Sequence, residues 1–267
     1  MATREREQGV ISLLKDQVVF ITGASSGIGS ACAEVFSAQG AKILMAARRI
    51  DRLQALAERL PTQSYCLKLD VADHKQVEET VRSLPTSWQA IDILINNAGL
   101  SRGLDKLHEG KLQDWEEMID TNIKGLLYVT RVVVPGMLAR GHGHIINIGS
   151  TAGHEVYPGG NVYCATKHAV RALTQGLRMD VLGTPLRVSS VDPGLVETEF
   201  SMVRFRGDAE RAKAVYAGLQ PLTPHDVAEI VLFCATRPEH VNINDVILMP
   251  VAQASALLVS RQKAQHK

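Results

Sequence analysis

A chain of 267 residues with 45% apolar and 21% charged side chains has the balance of an ordinary globular protein with a full core, and α/β folds of about 250 residues often form one domain. The formal net charge of +1 gives no field to draw it to nucleic acid or an anionic membrane, and no uninterrupted apolar run approaches the roughly 18 residues that span a bilayer. Cys32, Cys66, Cys164 and Cys234 are scattered without a CxxC pair and residues 1–8 are charged, which argues against a disulfide framework, a metal cluster and a secretory signal, and for a cytoplasmic protein.

After an extension over residues 1–14, the first element is a short apolar run, Val18-Val19-Phe20-Ile21. It leads into Thr22-Gly23-Ala24-Ser25-Ser26-Gly27-Ile28-Gly29 and then a helical pattern over 30–39. Strand, glycine turn and helix together form the context that binds a dinucleotide pyrophosphate. Gly23 allows the turn, Gly27 lets backbone N–H groups approach the phosphates, and Gly29 lets helix and strand pack closely. The helix N-terminus adds unpaired donors and a partial positive charge. The next apolar run, 41–47, precedes a helix over 50–60 whose Leu53, Leu56, Ala57 and Leu60 share a face. Further strand–helix pairs follow at 64–69 with 73–84, at 91–95, and at 144–148 with 163–182. Strands at 186–191 and 246–249 complete the series. Near-continuous apolar strands alternating with helices predict an α/β protein. The expected fold is a single doubly wound Rossmann-type domain over 15–250, a mostly parallel seven-stranded sheet with helices on both faces. A tail occupies 251–267. Ligands in such sheets sit beyond the carboxyl ends of the strands, which puts Gly23, Arg48, Asp70, Asn97, Ser150 and Pro193 along one rim.

Charge at the end of the second strand bears on the cofactor. An NAD site places an acid about 20 residues after the glycine loop, whereas arginine accommodates a 2′-phosphate. Here the strand ends Ala46-Ala47-Arg48-Arg49 without a carboxylate, so Arg48 is the expected phosphate clamp, Arg49 a second cation, and NADP the expected cofactor. A pair of solvated surface arginines is the plainer alternative. Asp51 falls at the start of the next helix and is expected to support its N-terminus. Downstream, Lys167 follows Tyr163 by one helical turn, so the two share a face. An ammonium beside the phenol favours its ionised form and fits Tyr163 for proton exchange with an alcohol or carbonyl oxygen, while Ser150 can donate to the same oxygen. His142 and His144 lack the further ligands a zinc site needs, and no metal is expected. His154 either walls the substrate pocket or is an exposed loop residue.

The glycine segment, Asn96-Asn97-Ala98-Gly99, Ser150, Tyr163-Cys164-Ala165-Thr166-Lys167 and Pro193-Gly194, in this order and spacing, resemble the short-chain dehydrogenase/reductase family. The stretch 193–208 and the ending Met249-Pro250-Val251-Ala252-Gln253-Ala254 are similar to its NADP-dependent 3-hydroxy acid (serine) dehydrogenase branch. The resemblance implies that Asn122 holds a water linking Lys167 to solvent, and that Lys167 also bonds the nicotinamide ribose. It implies that Ser25, Ser26, Gly27 and Ile28 belong to the cofactor loop, and that Asp70 and Val71 contact adenine. Asn97, Ala98 and Gly99 would line the cofactor, and Pro193, Gly194, Val196 and Thr198 would meet the carboxamide. It also implies a homotetramer or dimer through long helices over about 114–140 and 163–182, where Ile119, Leu126, Leu127, Val132 and Val133 exceed the needs of one buried face.

The loop over about 195–220 is expected to cover the substrate. Arg204 or Arg206 in it suggests a carboxylate ligand, though a charged, solvated helix is the other meaning of the run through Asp208, Glu210, Arg211 and Lys213. The expected function is an NADP-dependent dehydrogenase of a small 3-hydroxy acid (serine, allo-threonine or 3-hydroxypropionate type) or the matching carbonyl. A broad NADPH-dependent carbonyl reductase is the alternative, and a non-catalytic nucleotide-binding scaffold a weaker one.

Overall fold

The structure is a computed structural model and describes residues 12–262. Residues 1–11 of the expected extension and 263–267 of the expected tail lie outside the described residues. Seven strands are present: β1 (Val18–Thr22), β2 (Lys42–Ala47), β3 (Ser64–Lys68), β4 (Ile91–Asn96), β5 (His144–Ile148), β6 (Arg187–Pro193) and β7 (Asp245–Leu248). They form one sheet in the order β3-β2-β1-β4-β5-β6-β7, every pair parallel.

The helices are α1 (Gly27–Ala38), α2 (Ile50–Ala57), α3 (His74–Arg82), α4 (Thr86–Gln89), α5 (Leu112–Ile119), α6 (Leu126–Arg140), α7 (Asn161–Asp180), α8 (Phe200–Arg204), α9 (Ala209–Ala214) and α10 (Pro224–Ala235). Both faces of the central strands are covered, so these strands read as unbroken apolar runs. Along β1 the alternation divides the residues between two cores: Val19 and Ile21 pack with Phe36, Leu53 and Val231, while Val18 and Phe20 pack with Val77, Val129 and Met137. At the edges the pattern breaks. Tyr65 on β3 and Ile247 on β7 are exposed.

The structure departs from the expected helix over 114–140. A π-helical turn, Asp120–Gly125, separates α5 from α6. Here the buried Asn122 side chain leaves the helix to bond the backbone of Leu100. Such turns inside α-helices re-aim one side chain at a cost in regular hydrogen bonding. Residue 14, counted with the extension by sequence, belongs to the folded body: Leu14 is buried and its N–H donates to the Gln39 carbonyl at 3.1 Å. Among the described residues no helix is long and apolar enough to cross a membrane.

Candidate active site

The strand order reverses between β1 and β4, and at the carboxyl ends of the strands a cleft of about 590 Å³ opens. Its floor is the glycine turn. Gly23 has φ +67°, a backbone that side chains rarely adopt, and a Cβ there would meet the Ala98 Cα. The turn is sewn to the end of β4: the Asn97 amide donates to the carbonyls of Thr22 and Gly23 at 2.9 and 3.2 Å, and the Thr22 hydroxyl accepts from the N–H groups of Asn97 and Ala98. Asn97 thus braces the loop as well as lining the cleft. Ser26, the N-cap of α1, makes no side-chain capping bond, which leaves the first-turn N–H donors facing the cleft.

Ser25, Ser26, Gly27, Ile28, Arg48, Arg49, Asp70 and Val71 line one end of the cleft. The two arginines differ. Arg48 is open, with Asp70 4.0 Å away. Arg49 reaches over the glycine loop, donating to the hydroxyls of Ser25 (3.1 Å) and Ser26 (2.8 Å). It also pairs with Glu199 at 2.9 Å, and Arg52 holds the other oxygen of that carboxylate at 2.6 Å. The ion pairs hold the Glu199 carboxyl below the usual carboxylate range. Asp51 sits in the first turn of α2, as the sequence suggests.

Ala98, Gly99, Ser150, Tyr163, Lys167, Pro193, Gly194, Val196 and Thr198 line the middle of the cleft, while Gly29 and Asn122 lie behind its wall. Ser150 follows β5, and its hydroxyl accepts from the Ala152 N–H at 3.1 Å. Tyr163 and Lys167 lie one turn apart on α7, both buried. Burial pushes the Tyr163 phenol up, with Tyr157 adding to this, while Arg204 and a hydrogen bond from Ser150 pull it down. Burial brings the Lys167 ammonium down to about 8, against an opposing pull from Asp192. The Lys167 Nζ donates to the Ile148 carbonyl at 2.9 Å. Asn122 bonds both polar atoms of Leu100 at 2.8 Å and the Thr166 hydroxyl at 3.0 Å, bracing the turn beside this lysine.

The two loop arginines part company. Arg204, at the end of α8, enters the cleft and lies 5.4 Å over the Tyr163 ring and 5.0 Å over Phe200. Its Nη2 donates to the Tyr157 hydroxyl at 3.0 Å, and its buried Nε has no partner. Arg206 does not reach the cleft. It has φ +52° and turns outward to ion pairs with Asp114 and Glu117. The expectation for Arg206 is therefore corrected, because two carboxylates of α5 capture it. His154 is also neither exposed nor a cleft wall. It is paired with the buried Asp192 at 2.6 Å. Sequence reasoning missed Tyr157, Glu199 and Gln253, whose side chain accepts from the Leu195 N–H at 2.8 Å. Their partners are distant in sequence, so no local spacing assigns these contacts. His144 is a core residue bonded to Ser189 and brought down to about 3 by burial, and among the described residues no group of three or more His, Cys, Asp or Glu is placed to hold a metal.

Comparison with known proteins agrees with this geometry. NADP-dependent 3-hydroxy acid dehydrogenase YdfG of Escherichia coli (strain K12) is 51% identical over 247 residues, covering 92% of this chain and all of that protein. The NADP-dependent 3-hydroxy acid dehydrogenase of Schizosaccharomyces pombe is 44% identical over 259 residues, covering 95% and 100%. Among solved structures, the closed form of serine dehydrogenase complexed with NADP+ superposes with a TM-score of 0.88 at 49% identity, covering 92% of this chain and all of that one. The short chain dehydrogenase family matches residues 17–209, and with the glycine turn, Ser150, Tyr163 and Lys167 gathered at one cleft, this chain belongs to that family.

Proposed function

We propose that this chain is an NADP-dependent oxidoreductase acting on a small 3-hydroxy acid, of the serine, allo-threonine or 3-hydroxypropionate type, or on the matching carbonyl compound. The cleft suits the cofactor: uncapped first-turn donors of α1 face the pyrophosphate position, and Arg48 and Arg49 supply cations at the end of β2 where an NAD site has an acid. Bound there, NADP supplies the hydride acceptor or donor. Tyr163 takes the hydroxyl proton in oxidation and returns it in reduction. Lys167 stabilises the phenolate, and Ser150 donates to the same substrate oxygen. Asn122 keeps the Leu100 turn packed against Lys167. The enzyme is read as a cytoplasmic homotetramer or dimer of domains spanning 15–250, with 195–220 covering the substrate.

The single observation that supports an acid substrate is Arg204. Its guanidinium lines the cleft over the Tyr163 ring, which sets a cation on the side from which a carboxylate would enter while its 3-hydroxyl meets the phenol. The test compares a 3-hydroxy acid with its methyl ester, following NADPH absorbance. Losing a charge-assisted hydrogen bond costs about 1.5–3 kcal/mol, so the acid should lead by roughly ten- to a hundred-fold in kcat/KM. Arg204→Met should erase that preference, read as the ratio of acid to ester, whatever it does to the absolute rate through the Tyr163 phenol. Equal rates on acid and ester, or a preference for bulky neutral ketones against the apolar wall of Leu104, Phe200 and Val203, would favour a broad carbonyl reductase instead.

A further inference from the structure

Arg204 is held where it is by contacts from outside its own helix. Helix α8 is five residues long, too short to fix its own end, so whatever grips that end decides where Arg204 points. The grip comes from the segment after β4. The Gly103 N–H donates to the Arg204 carbonyl at 2.9 Å, and Nη1 of Arg102 donates to the Val203 carbonyl. That segment is itself braced, since Asn122 bonds both polar atoms of Leu100. Arg102 therefore meets the last carbonyls of α8 from a fixed base, as a cation serves a helix C-terminus.

Helix α5 completes the clip. Glu117 offers one carboxylate oxygen to the Arg102 Nε at 2.6 Å and the other to the Arg206 Nη2 at 3.5 Å. Arg206 also pairs with Asp114. The side chains of Arg102 and Glu117 keep only 14% and 28% of their surface in water, so their pairing is screened less than an open surface bridge. Arg206 holds φ +52°, an unfavourable backbone for a residue with a side chain, and the two carboxylates of α5 keep it there. Arg102 and Arg206 thus balance Asp114 and Glu117. Arg204 has the aromatic neighbours Tyr157, Tyr163 and Phe200 and, among the described residues, no carboxylate partner. The clip occupies the acids of α5 and leaves this cation without a counter-charge.

We propose that Arg102 is a positioning residue for substrate choice: with Glu117 and Arg206 it seats Arg204 over the Tyr163 ring to receive a carboxylate. The inference rests on the carboxylate reading of Arg204 given above and adds the residues that make it selective. Arg102 is not among the residues that line the cleft, so its loss acts through Arg204. Without it the Val203 carbonyl and one oxygen of Glu117 lose a donor each, and the end of α8 is freer to move. A guanidinium displaced by about an ångström forfeits much of the geometry that a charge-assisted bond requires. In Arg102→Leu the acid-over-ester ratio of kcat/KM should fall about tenfold, carried by the KM of the acid, with the ester little changed.

A double-mutant cycle separates positioning from general damage. In the Arg204→Met background, Arg102→Leu should leave the ratio where it stands, because the group it positions is gone. A ratio that Arg102→Leu alone does not change, or a fall shared equally by acid and ester, overturns the proposal. The second readout needs no substrate. The Arg204 Nε is buried, so its N–H should give a slowly exchanging NMR signal in protein labelled with 15N on arginine, assigned by its loss in Arg204→Met. Exchange of that proton with solvent should quicken about tenfold in Arg102→Leu, and an unchanged rate rejects the role. Fluorescence titration with NADPH checks that each variant is folded. If Arg102→Leu does not fold, Glu117→Gln keeps the shape of that side chain while weakening its hold on both arginines. It should move ratio and exchange rate in the same directions, and neither moving overturns the proposal. A wild-type enzyme that treats acid and ester alike would remove the substrate reading, and the exchange rate alone would then decide whether Arg102 holds Arg204.

Discussion

At the scale of single residues, the proposed chemistry depends on one phenol and on what surrounds it. Tyr163 is buried, which opposes ionisation, and the Arg204 cation and the Ser150 hydroxyl pull the other way, with Lys167 one turn further along the same helix. Tyr163→Phe keeps the ring and its contact with Phe200 but removes the proton. It should lower kcat by roughly 10²–10⁴-fold with NADPH affinity, measured by fluorescence titration, nearly unchanged. Retention of more than about a tenth of wild-type kcat would deny the phenol its role. The sequence makes this group legible because Tyr163 and Lys167 fall one turn apart on one helix. It does not separate Arg204 from Arg206, since the first ends α8, the second lies beyond it in a left-handed turn, and the partners that decide between them, Tyr157 and Asp114, are distant in sequence. His154 escaped for the same reason, its partner lying 38 residues away.

Secondary-structure elements carry their own signals with uneven clarity. The central strands are legible as apolar runs because both of their faces are covered, and α3 begins where Asp73 accepts from the N–H groups of Lys75 and Gln76. The π-helical turn before α6 is not legible, since Asn122 leaves the helix for the backbone of Leu100, a contact no periodicity encodes. Helix α10 was available to a closer reading. Thr223 and Asp226 form a reciprocal capping box with Pro224 in the first turn, just before Val227, Ala228 and Val231 enter the core. Thr223→Ala removes the bond to the Asp226 N–H and should cost about 1 kcal/mol, seen as a fall of about 2 °C in Tm by calorimetry with kcat unaltered. An unchanged Tm would mean that packing alone fixes this helix end.

For the whole molecule, the sheet order and the cleft at its switch point follow the strand–helix alternation, and association is the next level up. Of the residues singled out by sequence, Val133 is used in the core, whereas Ile119 and Leu127 remain exposed, joined by Leu112 and Leu138 along α5 and α6. Exposed apolar rows of this kind are covered in stable assemblies. Light scattering at micromolar concentration should give a multiple of 29.1 kDa, and a single-chain mass would refute the oligomer. The bridge from Glu199 to Arg49 and Arg52 also has a consequence at this scale. It fastens the segment after β6 to the arginine that leans on the glycine loop, so the two share one free energy. Any anion that competes for Arg49 loosens that segment. By thermodynamic reciprocity, whatever tightens the segment alters the welcome given to that anion by the same factor.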